Sequence, residues 1–255
     1  MLFDSYHIWY IIISLAATIG LLIGFMFIKK SKYKNWVLMF FALATFVLHI
    51  SSMYVNYLTD GAANADKSIM FPIYFCNLAM YLFLIVAFIK NKEGKVFKNL
   101  ALFTAYAGII GAIVSLIYPQ YYLDSQNMFQ WGTFKSLLSH STLLVGCLYL
   151  FTGGFVKIRV FSSLAVTGAG LIGCGIIGAF LNWLFVTCGL SSPNSMYLTA
   201  PAIDGEPALM GWWIALMIMA LVFIISVIIE YFTVPKGKRW YNKMGKIFNK
   251  NKPNK

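Results

Sequence analysis

The chain has 255 residues, 60% of them hydrophobic and 11% charged, with a formal net charge of +12. A soluble domain carries about 25% charged residues, so a water-soluble globule of this size is excluded, and so is a disordered chain. The +12 does not point to nucleic acid, because the basic residues fall in short loops between apolar runs and in a Lys/Asn-rich tail, where topology signals and lipid headgroup contacts are found.

Seven runs are long enough to cross a bilayer core of roughly 30 Å, which takes about 20 apolar residues. In chain order they cover 7–28, 36–57, 69–89, 100–118, 134–155, 161–186 and 212–231. They do not alternate polar and apolar residues, which argues against a membrane barrel. The first run is read as a span rather than a signal core, because it is long and no small-residue cleavage site ends it.

Eighteen of the twenty Lys and Arg residues lie in the first, third and fifth loops and after the last run. Only Lys67 and Lys135 lie on the other side, with Asp4, Asp60, Asp66, Asp124, Asp204 and Glu206. The expected architecture is therefore an all-α polytopic membrane protein with seven transmembrane helices, the N-terminus outside and the C-terminus cytoplasmic. It comprises a membrane domain over 1–233 and a basic tail over 234–255 that meets anionic headgroups.

Span six contains Gly170, Cys174 and Gly178 at four-residue spacing, and span four has Gly108 and Ala112 in the same register. Small residues so spaced let helices pack closely in lipid. Cys147 and Cys174 read as packing residues, and Glu230, near the inner end of span seven, as a group that snorkels or pairs with tail lysines. No CxxC pair joins the four cysteines, so neither a zinc knuckle nor a disulfide framework is indicated.

Polar groups inside spans are costly and mark functional sites by default. Those present are His49 and Asn56 in span two, Cys76 and Asn77 in span three, Ser139, His140 and Ser141 in span five, and Asn182 in span six. At 1.5 Å per helical residue, Cys76, His140, His49 and Asn182 fall roughly 6–12 Å below the outer boundary, in one layer. Cys76 is the good nucleophile of the set, and a cysteine thiol is activated by a neighbouring histidine. Cys76 and His140 therefore form a candidate dyad, provided spans three and five are neighbours. His49, Asn77 and Asn182 are candidates for orienting the histidine or stabilising an oxyanion. A packing role for the cysteine and a backbone-bonded histidine is the competing reading. No short HxxxH spacing supports a metal site, and no cofactor is called for.

The segments FPIYFCNLAMYLF (71–83), FKSLLSHSTLLVGCLYL (134–150), NSMYLTAP (194–201) and LMGWW (209–213) together resemble YwaF-like integral membrane proteins. These are bacterial seven-helix proteins related to an animal family with acyltransferase activity on ether phospholipids. The resemblance implies a nucleophile at Cys76, a base at His140, and a role for Asn194 and Tyr197 in shaping the mouth of the site. The sequence departs from that family in carrying Asn77 where an acid commonly follows the cysteine. It also has Trp212 and Trp213 directly after Gly211, where Gly-Pro-Trp-Pro is common.

The function expected is a lipid acyltransferase or acyl hydrolase in a bacterial plasma membrane. It would act on phospholipids or lysolipids and carry the acyl chain as a thioester. The alternative is a non-enzymatic transporter or a protein that binds lipids or other small molecules. Acyl donor, acceptor and oligomeric state stay open.

Overall fold

The computed structural model describes residues 3–60, 70–119, 129–203 and 205–242. Seven long helices run in chain order among the described residues: α1 (Ser5–Met26), α2 (Ser31–Asp60), α3 (Phe75–Phe88), α4 (Lys95–Ile117), α5 (Trp131–Thr152), α6 (Val160–Thr187) and α7 (Gly211–Thr233). The described residues contain no strand. Six of the helices are long and apolar enough to cross a membrane. Asp66, Lys67, Asp124, Asp204 and the tail from residue 243 lie outside the described residues, as does the side chain of Asn56.

Span three differs most from the sequence expectation. The apolar run predicts a helix over 69–89, but α3 has 14 residues and begins at Phe75. At 1.5 Å per residue it is about 21 Å long. Pro72 accounts for the late start, because the residue before a proline is pushed out of the helical region and proline itself offers no N–H. Tyr74 is extended, at φ −107° and ψ 160°, and Ile73 is buried. Irregular backbone at membrane depth is tolerated where protein covers it. Cys76 is therefore the second residue of its helix rather than a residue two turns inside one.

Helix α3 is capped at its far end by a lysine. The Lys92 ammonium donates to the carbonyls of Val86 at 2.8 Å and Ala87 at 2.9 Å. Cations near a helix C-terminus satisfy carbonyls that have no N–H partner within the helix.

Helices α2, α3, α4 and α5 form a ring in which α2 and α4 each pack on both α3 and α5. Helices α3 and α5 thus face each other diagonally and touch at few points. Helix α1 lies outside against α5, α6 against α4, and α7 against α6. The core is the ring interior, where Phe41, Phe83, Leu143 and Tyr149 are buried.

Polar side chains tie the outer helices to this core. Tyr10 and Ser14 of α1 both hydrogen-bond the Ser141 hydroxyl of α5, each at 2.8 Å. His7 Nε2–H donates to the Leu116 carbonyl in the last turn of α4 at 2.8 Å, while its Nδ1 accepts from the Phe3 N–H. Tyr106 of α4 bonds Ser163 of α6 and Ser226 of α7.

The small-residue positions work as notches for side chains rather than as bare helix contacts. A Cβ on Gly170 would lie 2.2 Å from the Phe103 ring, and one on Gly108 would lie 2.2 Å from the Cys147 sulfur. Cys147 packs there and donates weakly to the Thr104 carbonyl. Cys174 lies on the same stripe of α6 as Gly170 but lines a cavity.

Glu230 does not snorkel. It is 2% exposed and accepts from the Val160 N–H at the start of α6 at 2.8 Å, with Arg159 4.0 Å away. The start of a helix leaves N–H groups without carbonyl partners, and a carboxylate there satisfies one of them.

Candidate active site

A cavity of about 1200 Å³ opens at the end of the bundle where α3, α5 and α7 begin. Helices α2 and α5 give it a polar wall of His49, Lys135, Ser136, Ser139 and His140. Helices α6 and α7 give it an apolar wall that includes Leu171, Cys174, Ile214, Ile218 and Leu221. Cys76 and Asn77 enter from the first turn of α3, and Gly111 and Ser115 from α4.

Cys76 is half-buried, and its thiol donates to the Asn77 side-chain oxygen at 3.4 Å. Gly111 lets α4 approach it, because a Cβ on that residue would stand 3.1 Å from the Cys76 Cβ. The first turn of α3 sets N–H groups without helical acceptors beside the thiol.

His140 is 8% exposed and its Nδ1 lies 2.7 Å from the Ser136 carbonyl oxygen, one turn back. A carbonyl only accepts, so Nδ1 carries the proton and Nε2 keeps its lone pair in the neutral ring. Nε2 is buried and has no hydrogen-bond partner among the described residues. The backbone thus does for His140 what a carboxylate does in many histidine sites, and the Asn at position 77 does not leave the ring unoriented. Cys76 and His140 line the same cavity although their helices are diagonal in the ring.

The chain belongs to the TMEM164 family. The family matches residues 2–231, nearly the whole chain, and makes this a membrane protein. No curated protein and no solved structure matches it.

The remaining candidate residues of this TMEM164-family protein divide into two groups. His49 and Tyr197 line the cavity with Cys76, Asn77 and His140. His49 stands edge-on to Tyr81, ring centroids 5.9 Å apart. Tyr197 stacks on Tyr74 at 5.2 Å. Burial pushes its phenol up, and the neighbouring Cys76 and Tyr74 act in the same direction.

Asn182 and Asn194 instead hold the loop that carries Tyr197. The Asn182 side-chain oxygen accepts from the Ser195 N–H at 2.7 Å and the Ser192 hydroxyl at 3.3 Å, and its amide donates to the Ser195 carbonyl. The Asn194 side-chain oxygen accepts from the N–H groups of Thr199 and Ala200 and from the Thr199 hydroxyl. The Met196 N–H donates to the Ile73 carbonyl at 2.9 Å, which pins this loop to the lead-in of α3. Asn194, Met196 and Tyr197 all have positive φ, between 49° and 55°. For residues other than glycine this conformation is strained, and such strain gathers at functional sites.

Lys135 lines the cavity and is 3% exposed, although its place near a span end reads in the sequence as a loop charge. Its spacing held the signal, since it lies four residues before Ser139 and so shares a helical face with it. Tyr74 and Ser115 also line the cavity, and no sequence pattern singles them out. Among the described residues no three His, Cys, Asp or Glu side chains are grouped as a metal ion requires.

Proposed function

We propose that this chain is a membrane-embedded enzyme that moves an acyl chain of a phospholipid through a thioester on Cys76. The observation that carries the reading is the shared cavity. It brings a thiol and a base-competent imidazole nitrogen to one space that is polar on one side and apolar on the other. The resemblance to YwaF-like proteins, and through them to an acyltransferase family, supports the same reading.

In the proposed reaction His140 Nε2 takes the Cys76 proton, and the thiolate sulfur bonds to the ester carbonyl carbon of the donor lipid. The oxyanion that forms is met by the Asn77 amide and the first-turn N–H groups of α3. The carbon–oxygen bond to the glycerol breaks, and His140 returns the proton to the departing lysolipid hydroxyl. A second hydroxyl then attacks the thioester with His140 as base, the acyl chain leaves on it, and the thiol is regenerated. Water in place of the second hydroxyl makes the reaction a hydrolysis.

The charge pattern supports a plasma-membrane orientation with the cavity end outside and the basic loops in the cytoplasm. In this orientation α3 completes the seven spans, its extended lead-in anchored by the buried Ile73. The test is transfer in vesicles containing the full-length protein, an isotope-labelled diacyl phospholipid and an unlabelled lysophospholipid. Labelled chain should appear on the former lysolipid with the wild type and not with Cys76→Ala. Transfer by neither would reject the reading in favour of a protein that binds or transports lipid without chemistry, and equal transfer by both would reject Cys76 as the acyl carrier.

A further inference from the structure

The loop between α6 and α7 holds its strained backbone in order to place one side chain. Asn194, Met196 and Tyr197 keep their positive φ because three elements tie the loop down. Asn182 of α6 holds the Ser195 N–H, the Ile73 carbonyl holds the Met196 N–H, and Asn194 closes the loop onto Thr199 and Ala200. The side chain so placed is Tyr197, half-buried in the cavity wall.

The Tyr197 ring lies on that of Tyr74, with centroids 5.2 Å apart and planes 23° from parallel. Tyr74 is the N-cap residue of α3, two positions before Cys76. The stack therefore sets the phenol beside the first turn of α3, and Tyr197 and Cys76 line one cavity. Burial keeps the phenol protonated, and negative charge on Cys76 works in the same direction. A phenol in that state is a neutral hydrogen-bond donor.

A donor at this place has a use in the reaction. When the Cys76 sulfur bonds to an ester carbonyl carbon, the carbonyl π pair moves onto oxygen, and the charge passes from sulfur to that oxygen. A positioned donor on a second element can meet the charge as it forms. We infer that Tyr197 is a further catalytic residue, whose phenol O–H donates to the carbonyl oxygen of the acyl donor as Cys76 attacks it. The proton stays on the phenol, and the hydrogen bond is released when the carbonyl reforms in the thioester. The inference rests on the thioester reading of Cys76 and adds the loop's contribution to it.

The test uses the full-length protein in phospholipid vesicles and follows acylation of Cys76 by intact mass in a single turnover. Tyr197→Phe keeps the ring and its stack and removes only the hydroxyl. The rate at saturating donor lipid should fall by about 10²- to 10³-fold, the loss typical of one oxyanion donor, with half-saturation little changed. Alkylation of Cys76 by iodoacetamide, read by peptide mass, is displacement at a saturated carbon and forms no oxyanion. Its rate should be the same in Tyr197→Phe and the wild type. Replacing Tyr197 alone by 3-fluorotyrosine makes the phenol a stronger donor at almost unchanged size, and acylation should then be faster than in the wild type.

Undiminished acylation in Tyr197→Phe would overturn the inference and leave the thioester reading standing. So would an equal loss of acylation and alkylation, which would make Tyr197 a support for the loop or the thiol. If Tyr197→Phe failed to fold, the fluorotyrosine protein decides, and acylation no faster than the wild type would overturn the inference. A wild type that is never acylated at Cys76 would sink the thioester reading and this inference together.

Discussion

His140 donates its Nδ1 proton to the Ser136 carbonyl at 2.7 Å, and this one bond fixes which nitrogen of the ring is left to act as a base. Because the acceptor is backbone, the Ser136 side chain is dispensable for it. Ser136→Ala should leave the acyl-transfer rate little changed, whereas His140→Gln should lower it by about 10²- to 10⁴-fold. Rates of both variants in the vesicle assay check this. A large loss in Ser136→Ala would mean that the hydroxyl, and not the carbonyl, is the functional group.

The bond from Val160 to Glu230 joins the ends of α6 and α7. Glu230→Ala removes a buried acceptor and leaves the Val160 N–H without it. A loss of about 1–2 kcal/mol is expected, the range for a lost helix cap. Glu230→Gln keeps an acceptor oxygen and should lose less. Thermal melting of the purified variants in one detergent gives the comparison, and equal melting points for wild type and Glu230→Ala would refute the capping role.

The helices are legible in the sequence because lipid imposes length and apolarity on them, and six of the seven runs appear as helices long enough to span. Where α3 begins is not legible from apolarity, because residues 69–74 are as apolar as a helix interior and only Pro72 breaks them. Cys76 and His140 stand out because polar groups in spans are expensive. Lys135 does not, because a lysine within a turn of a span end reads as an interfacial charge, and only the packing of α5 into the ring shows it covered. The tasks of Asn182 and Asn194 depend on how the 190–210 loop folds back, which hydropathy does not encode.

Gly211 opens α7 directly under that loop. A Cβ there would lie 2.1 Å from the Met196 carbonyl oxygen, a backbone atom that moves only if the loop moves. Gly211→Ala should therefore displace the loop and cost about 1–3 kcal/mol, the range for an overpacked site. Gly175 lines the same cavity, and a Cβ added to it would meet nothing within 4 Å, so Gly175→Ala is the matched control. Maleimide labelling of Cys76 should change rate in the first variant and not in the second.

Burial lowers the Lys92 ammonium from the usual 10.5 to about 8. Below about pH 8 the folded and unfolded chains both carry this proton, and the contribution is constant. As pH rises from 8 toward 10.5 the folded chain loses the proton while the unfolded chain keeps it, so this group makes the fold more stable with rising pH. The methyl resonances of isotope-labelled dimethyl-lysine should show one site, absent in Lys92→Arg, that titrates near pH 8. Titration of that site near 10.5 would contradict the half-buried placement.

The central claim is that Cys76 carries an acyl chain. The most direct measurement is the intact mass of the purified protein after incubation with phospholipid, with and without hydroxylamine, for wild type and Cys76→Ala. The expected result is an added acyl mass on the wild type that hydroxylamine removes, and none on the variant. A wild type that gains no mass while lysolipid is still released, or a variant that gains the same labile mass, would contradict it.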